Sequence, residues 1–426
     1  MKRQLQYLLI LCIAVISGSF LQSCTNDKAN CVYTYMSYEP VYMSLETLRG
    51  TIQTTAARPI KSPGKIYYKY PYIFINEREE GLHVIYNRHP ESPQNIAFIE
   101  IPGNVDIAMA DNIMYADNYM DLVVLDLSDP ENVQLVNRVE NLFDTYYYID
   151  PEKGLIVDWT PTEVTESYNC EESPDIWPWG YYAEGYAIDT NSPINSNNGG
   201  STGAPSVGVG GSMARFTIAS NHLYTLTTSD MNVFDINELA NPIQKDPIHV
   251  GWNIETIYPF KDMLLIGSQS GMFIYNIQEP SLPLFVSEYT HVRSCDPVVA
   301  AGNTAYVTLR SGTACQGFTN QLEVLDISDV TEPDLLKIYP MQNPHGLGID
   351  NNTLFICDGE AGLKAYNAED PLKIDENLLA HYNNIHAFDA IPLGETLLLI
   401  GEDGFHQYDY SDPTNIQWLS TIAVEK

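Results

Sequence analysis

The chain has 426 residues and a formal net charge of −34, with 55 acidic residues against 21 basic ones. Such a surface repels phosphate backbones and anionic head groups, so the composition argues against a nucleic-acid partner and favours a neutral or cationic one. The chain is too long for one small core, and its short apolar runs are evenly spread. This distribution favours internal repeats over several unrelated domains.

The first residues have the pattern of a secretory leader. Lys2 and Arg3 precede an apolar stretch over residues 5–20, and the run Leu21-Gln22-Ser23-Cys24 follows it. This run resembles the bacterial lipobox, although Gln22 replaces the small residue usually found there. The resemblance implies a signal peptide over residues 1–23, cleavage before Cys24 and acylation of its thiol, for instance with palmitate. We therefore expect an exported lipoprotein of the outer membrane that faces the periplasm or the cell surface.

Export would place the remaining cysteines in an oxidising compartment. Cys295 and Cys315 fall within one repeat, and Cys315 lies in a loop that contains glycine. We predict a local disulfide between them that pins this loop to its own repeat. Five cysteines remain after Cys12 and Cys24 are set aside, so at least one stays unpaired.

Residues 24–60 carry no repeat signature and form a predicted N-terminal arm. Four tyrosines alternate there with polar residues: Tyr33, Tyr35, Tyr38 and Tyr42. Because tyrosine buries well, we expect the arm to cap an exposed face of the following domain. The alternative is a simple tether.

A short apolar strand recurs along residues 61–426 and ends each time in Asp or Asn before a turn. These side chains accept local backbone hydrogen bonds, and a following proline presets the turn, so the strand must end there. The seven copies lie at residues 82–87, 122–126, 231–235, 272–276, 322–326, 363–367 and 405–409.

The repeat spacing predicts a β-propeller. Most copies lie roughly forty residues apart, and each unit has room for four strands, which is the blade of a propeller. We therefore expect an all-β fold of eight four-stranded blades, the third of them degenerate. Seven blades is the alternative if residues 145–212 contribute no full sheet.

The recurring strands, with Leu122-Val123-Val124-Leu125-Asp126 nearest, resemble the LVIVD repeat of exported bacterial propeller proteins. The resemblance covers about residues 60–424. It implies a propeller and an exported location, but it supplies neither a substrate nor a catalytic residue, since that family is largely uncharacterised. Ala365 and Gln407 depart from the apolar pattern of the repeat.

The composition shifts in an insertion at about residues 160–212. Its first part is aromatic, and exposed aromatic rings stack on sugars or anchor protein partners. We regard this part as a candidate binding surface, with a small satellite core as the alternative: Trp177, Trp179, Tyr181 and Tyr182. The Asn, Gly and Ser-rich run over residues 191–212 predicts a flexible loop.

Residues at the start of each blade's innermost strand should gather around one mouth of the channel. Comparison of the units gives a candidate axial site of Asp106, Glu255, Asp296, His345 and His386, with Asp144 as a further candidate. Carboxylates and imidazoles that converge on an axis could bind a divalent cation or act as an acid and base. A solvated polar channel is the alternative.

No catalytic signature such as GxSxG, a P-loop or HExxH occurs in the sequence. The first functional hypothesis is therefore a membrane-anchored binding or scaffold propeller of the bacterial cell envelope, with a protein or a glycan as ligand. The alternative is a cation-dependent hydrolase or lyase that acts on an extracellular polymer through the axial site.

Overall fold

The computed structural model describes residues 30–50, 52–143, 148–169, 194–195, 206–212, 214–291, 297–311 and 319–425. The chain divides into two compact units, one of residues 1–42 with 157–185 and one of residues 43–156 with 186–426. In the described part of the chain, no helix is long and apolar enough to cross a bilayer.

The smaller unit contains a β-ribbon. Strand β1 (Asn30–Met43) pairs with strand β12 (Gly154–Asn169). The Tyr35 hydroxyl donates a hydrogen bond to Glu166 Oε1 over 3.2 Å. The rings of Tyr33 and Tyr35 stack with their centroids 5.5 Å apart.

The larger unit begins with helix α1 (Leu45–Gly50) and strand β2 (Gln53–Ala56), followed by two four-stranded sheets. Blade 1 consists of β3 (Pro63–Lys69), β4 (Tyr72–Glu77), β5 (Gly81–Tyr86) and β6 (Gln94–Glu100), and β2 pairs with the outer edge of β6. Blade 2 consists of β7 (Ile107–Ala110), β8 (Ile113–Asn118), β9 (Asp121–Asp126) and β10 (Gln134–Val139).

Five more blades follow three further short strands, β11 (Ile149–Asp150), β13 (Ile194–Asn195) and β14 (Val209–Ser212). Blade 3 has β15 (Phe216–Ala219), β16 (His222–Leu226), β17 (Asp230–Asp235) and a broken outer strand, β18 (Ile243–Gln244) with β19 (Ile248–His249). Blade 4 has β20 (Ile254–Phe260), β21 (Met263–Ser268), β22 (Gly271–Asn276) and β23 (Leu284–Thr290). Blade 5 has β24 (Val298–Ala301), β25 (Thr304–Leu309), β26 (Gln321–Asp326) and β27 (Asp334–Pro340).

The last two blades follow the same order. Blade 6 has β28 (Leu347–Asp350), β29 (Thr353–Cys357), β30 (Leu363–Asn367), a 3-10 turn over Pro371–Glu376, and β31 (Leu378–Tyr382). Blade 7 has β32 (Ala387–Leu393), β33 (Thr396–Gly401), β34 (Gly404–Asp409) and β35 (Gln417–Ala423). The recurring apolar strand of the sequence is the third strand of each blade.

The predicted all-β propeller is confirmed. The described strands form eight sheets, of which seven have the blade order and one, β1-β12-β11, has three strands. The described residues of the expected third unit, 145–212, contribute β11 to β14 and no blade. The described strands therefore form seven blades, which is the alternative number predicted from the sequence.

The ring closes between blade 7 and blade 1. Ile66 and Ile73 of blade 1 pack in one buried cluster with Leu398 of blade 7. The amides of Asn87 and Gln407 exchange two hydrogen bonds of 2.8 Å across this interface. Gln407, which departs from the apolar repeat, is therefore one of the residues that join the ends of the ring.

A segment of the chain lies along the propeller axis. Strand β14 pairs with β3, the innermost strand of blade 1. The Gly208 amide donates to Met109 O of blade 2, the Leu347 amide of blade 6 donates to Ser212 Oγ, and the Ile257 amide of blade 4 donates to Ala214 O. Contact with the innermost strands of four blades places residues 206–212 and Ala214 in the channel.

This arrangement corrects two expectations for the described residues. The prediction of a flexible loop is wrong for residues 206–212, where β14 is hydrogen-bonded on the axis and Gly208, Gly210 and Gly211 are buried. The channel is also not simply solvated, because this segment fills part of it. Position 208 requires glycine because its backbone lies close to the ring of Tyr67. A Cβ on Gly208 would lie 2.3 Å from Tyr67 Cε1.

We predict that Gly208→Ala destabilises the propeller by roughly 1–3 kcal/mol, since the added methyl group overpacks a buried site. Gly50→Ala is the matched control, because a Cβ there meets no atom within 4 Å. Urea unfolding of the two variants measures the difference. Equal stability of the two would contradict the placement of residues 206–212 in a tight channel.

Candidate functional site

A cleft of about 550 Å³ opens at the end of the ring where the innermost strands begin, which we call the upper mouth. Blades 6, 7 and 1 build it. Each contributes residues just before its innermost strand or in the turn between its second and third strands. The cleft is lined by Lys61, Ser62, Pro63, Arg78, Asn343, His345, Glu360, His386, Phe388 and Glu402.

Three rings form an aromatic group in this cleft. The centroids of His345 and His386 lie 6.3 Å apart, and Phe388 lies 5.4 Å from His345 and 4.8 Å from His386. His345 precedes β28 and His386 precedes β32, so equivalent positions in adjacent blades bring the two imidazoles together. Such rings offer flat, partly apolar surfaces to a ligand.

His345 is almost fully buried, with 4% of its surface exposed. Its Nε2 lies 3.2 Å from Asn343 Nδ2, and no described residue provides a hydrogen-bond partner for its buried Nδ1. Burial, with smaller effects of Arg310 and His386, lowers the pKa of His345 to about 3. The ring is therefore neutral near pH 7. A buried polar atom that no described residue satisfies is uncommon in a folded protein.

The charged side chains of the cleft are separated by blade. Lys61 and Arg78 come from blade 1, whereas Glu360 comes from blade 6 and Glu402 from blade 7. Glu402 Oε2 lies 2.8 Å from His386 Nδ1. The cleft thus has a basic side and an acidic side.

Glu77 fixes the basic side of the cleft. Its carboxylate accepts hydrogen bonds from the amides of Lys61 at 3.0 Å and Ser62 at 2.6 Å. His83 Nε2 lies 2.8 Å from the same carboxylate. Burial alone would raise the pKa of Glu77, but these hydrogen bonds hold it below its usual range. Glu77 and His83 therefore act as positioning residues behind the cleft wall.

Two members of the predicted axial site lie elsewhere. Asp106 pairs with Lys65 Nζ at 2.7 Å and accepts the Arg215 amide at 2.6 Å, so it secures the end of the channel segment. Glu255 accepts a hydrogen bond of 2.8 Å from Gln269. Neither residue lines the cleft. Among the described members of the predicted set, His345 and His386 line it.

The other predicted site residues lie outside the described residues, and their roles stay predictions: Cys24, Asp144, Trp177, Trp179, Tyr181, Tyr182, Cys295, Asp296 and Cys315. Within the described ranges, no group of three or more His, Cys, Asp or Glu side chains is arranged to hold a metal ion.

Sequence reasoning missed Arg78, Glu360 and Glu402. All three lie in turns between the second and third strands, two or three residues before a glycine: Gly81, Gly362 and Gly404. These glycines have positive φ values of 141°, 86° and 139°. Alignment of the units on this glycine would have placed the three charged residues at one mouth.

The family model described as LVIVD repeat matches residues 105–141 and 294–340. The chain carries LVIVD repeats. The first matched segment contains β7 to β10, and the second contains β24 to β27. The LVIVD units thus coincide with blades 2 and 5 of the ring.

No curated protein matches the chain in sequence. Among solved structures, a protein from Lactobacillus plantarum is 11% identical with a TM-score of 0.53, and the match covers 85% of this chain and 96% of that one. BamB from Moraxella catarrhalis is 10% identical with a TM-score of 0.46, over 91% of this chain and 92% of that one. Hsv2 from Kluyveromyces lactis is 10% identical with a TM-score of 0.47, over 85% and 100%. At these identities, similarity concerns the fold alone.

His345 predicts a pH-dependent stability. Its pKa is about 3 in the folded chain and about 6.5 when unperturbed, so the unfolded chain binds more protons between these values. The neutral buried ring makes its full contribution to the free energy of unfolding above pH 6.5. This contribution is lost as the pH falls towards 3. We expect wild type to lose up to about 1.4 kcal/mol per pH unit more than His345→Gln in this window.

Urea unfolding at pH 7, 6, 5 and 4 checks this expectation. The free energy of unfolding of His345→Gln is subtracted from that of wild type at each pH. This difference cancels the contribution of the many surface carboxylates that both proteins share. Parallel stability curves for the two proteins would show that His345 is not buried in the neutral form.

Proposed function

We propose that this LVIVD-repeat propeller is a binding module of the bacterial cell envelope, held at the outer membrane by a lipid on Cys24, and that it captures its ligand in the upper-mouth cleft. The main support is His345, which lines the 550 Å³ cleft, is almost fully buried and has no partner for its Nδ1 among the described residues. Small-molecule sites span roughly 300–1,000 Å³ and combine apolar surface with a few polar groups.

The occupied axis supports a site at the mouth. Residues 206–212 and Ala214 contact the innermost strands of blades 1, 2, 4 and 6, so a ligand meets the protein above this segment and not within the channel. The partner class remains a protein segment or a glycan, since the net charge of −34 disfavours nucleic acid.

The contacts of Asp106 favour binding over the cation-dependent hydrolase or lyase. That alternative requires the axial carboxylates and histidines to meet, but Asp106 is neutralised by Lys65 at 2.7 Å and holds the Arg215 amide. A carboxylate already paired in this way is a poor ligand for a cation, because the ion would have to compete with a buried ammonium group.

We expect the full-length chain to incorporate labelled palmitate when it is produced in a bacterial host. Cys24→Ser should abolish the label, because only the thiol of Cys24 follows the lipobox-like run. Cys12→Ser, which removes a thiol within the predicted leader, should keep it. Undiminished labelling of Cys24→Ser would contradict the proposed anchor.

We expect Ser62→Trp to abolish ligand capture by filling the cleft. Ser62 is an exposed cleft residue, so the bulky ring removes no buried contact. Ser92→Trp is the matched control, because Ser92 is also exposed but does not line the cleft. Isothermal titration with short peptides, chitobiose and maltotriose measures the effect.

Binding of any of these probes that is lost in Ser62→Trp and kept in Ser92→Trp supports the cleft as the binding site. Binding that survives in both variants, or no binding by wild type, would contradict it. A thermal unfolding midpoint close to that of wild type shows that each variant is folded.

A further inference from the structure

We infer that the β-ribbon of strands β1 and β12 is a docking site for a basic, extended segment of a partner protein, which adds as a further strand along the free edge of β1. In this segment, Lys or Arg alternates with apolar residues. Residues 30–42 and 157–169 of the ribbon belong to the smaller unit, so the inference concerns a second surface and does not rest on the upper-mouth cleft.

The free edge of β1 is the first argument. Among the described strands, β12 lies between β1 and β11, so β1 has a neighbouring strand on one side only. An edge strand presents N–H and C=O groups to a further chain, and proteins often block such edges with lysine or proline. Residues 32–39 of β1 contain neither. Because a two-stranded ribbon is only marginally stable in water, a further long strand would also stabilise it.

The two faces of β1 are the second argument, because they differ in chemistry. Side chains alternate along a strand, which places Val32, Met36 and Tyr38 on one face. Their exposed fractions are 65%, 47% and 53%. Tyr33 and Glu39 lie on the opposite face and are also exposed. A strand beside β1 would therefore place apolar side chains along the first face and cations along the second, near a tyrosine ring and a carboxylate.

Charge is the third argument. The two strands contain no Lys, Arg or His, and they carry four carboxylates: Glu39, Asp158, Glu163 and Glu166. Glu166 accepts a hydrogen bond from Tyr35, whereas neither Glu39 nor Glu163 is paired with a described residue. Such a surface repels an anionic bilayer, and it repels a second copy of this chain, whose net charge is −34. It attracts a basic segment.

The test is isothermal titration of the full chain with the peptide acetyl-Lys-Val-Lys-Phe-Lys-Val-Lys-amide. A second peptide has Glu in place of every Lys. A third, acetyl-Lys-Lys-Val-Phe-Val-Lys-Lys-amide, has the same composition as the first but lacks the alternation. We expect the first peptide to bind and the other two to bind at least about tenfold more weakly.

Two double variants test the role of charge. Glu39→Lys with Glu163→Lys should weaken binding of the first peptide at least about tenfold. Glu131→Lys with Glu332→Lys is the matched control, because it makes the same change in net charge at two exposed residues outside the ribbon. This control should keep the affinity within about threefold of wild type.

Two further double variants test the apolar face without a change of charge. Val32→Ser with Tyr38→Ser should weaken binding at least about tenfold, since it removes the exposed apolar side chains at both ends of the face. Leu335→Ser with Leu336→Ser is its control, because it removes two exposed apolar side chains of β27 in blade 5. Thermal unfolding midpoints close to that of wild type show that the variants are folded.

An equal loss of affinity in both charge variants would overturn the inference, because it would show attraction to the net charge alone. Equal binding of the three peptides, or no binding of the first, would overturn it as well. Sedimentation of Cys24→Ser with vesicles of phosphatidylcholine and phosphatidylglycerol, without peptide binding, would overturn it in favour of a lipid surface.

Ser62→Trp separates this inference from the proposed function. We expect the variant to bind the first peptide as wild type does, because the ribbon contains no cleft residue. Peptide binding that Ser62→Trp abolishes would overturn the ribbon as the docking site and would support the cleft. Peptide binding at the ribbon, with no probe captured in the cleft, would support the inference and overturn the proposed binding site.

Discussion

A four-stranded sheet with two apolar faces is stable in water only when both faces are covered, and a closed ring covers them for every blade at once. The third strands show the consequence, since five consecutive residues are buried in β5, β9 and β22. Blades 1 and 7 have both faces covered only because they pack on each other. The isoleucine cluster at this closure and the paired amides of Asn87 and Gln407 are thus the contacts on which the remaining blades depend.

The channel segment adds a second constraint, because it ties together blades that are not neighbours. Its end is held where the Arg215 amide meets Asp106, whose charge is balanced by Lys65. A buried ion pair of this kind adds little net stability, but loss of one partner leaves an uncompensated charge. The pair therefore fixes the position of the segment. It also engages the carboxylate of Asp106, which the sequence alone predicts as a ligand for a cation.

The repeats predicted the propeller because each blade depends on local signals: an apolar strand, a terminal Asp or Asn and a turn. The blade number was harder, since residues 127–230 separate two recurring strands and give no local signal of how many sheets they form. The Gly-rich run over 208–211 resembles a linker in composition, and its buried position follows only from contacts with Tyr67 and other distant residues. Tertiary contacts also decide which axial residues meet: His345 and His386 do, whereas Asp106 is held by Lys65, 41 positions earlier in the chain.

The cleft lies beside the closure of the ring, and this position links its shape to the stability of the fold. Ile60 pairs with Val424, and the Glu425 amide donates to Ile60 O over 2.8 Å, one residue before Lys61. Glu77 then holds the amides of Lys61 and Ser62 in place. The basic side of the cleft thus depends on contacts between the two ends of the propeller, whereas the acidic side belongs to turns within blades 6 and 7. Any opening of the closure would separate the two sides, so the shape of the cleft requires a closed ring.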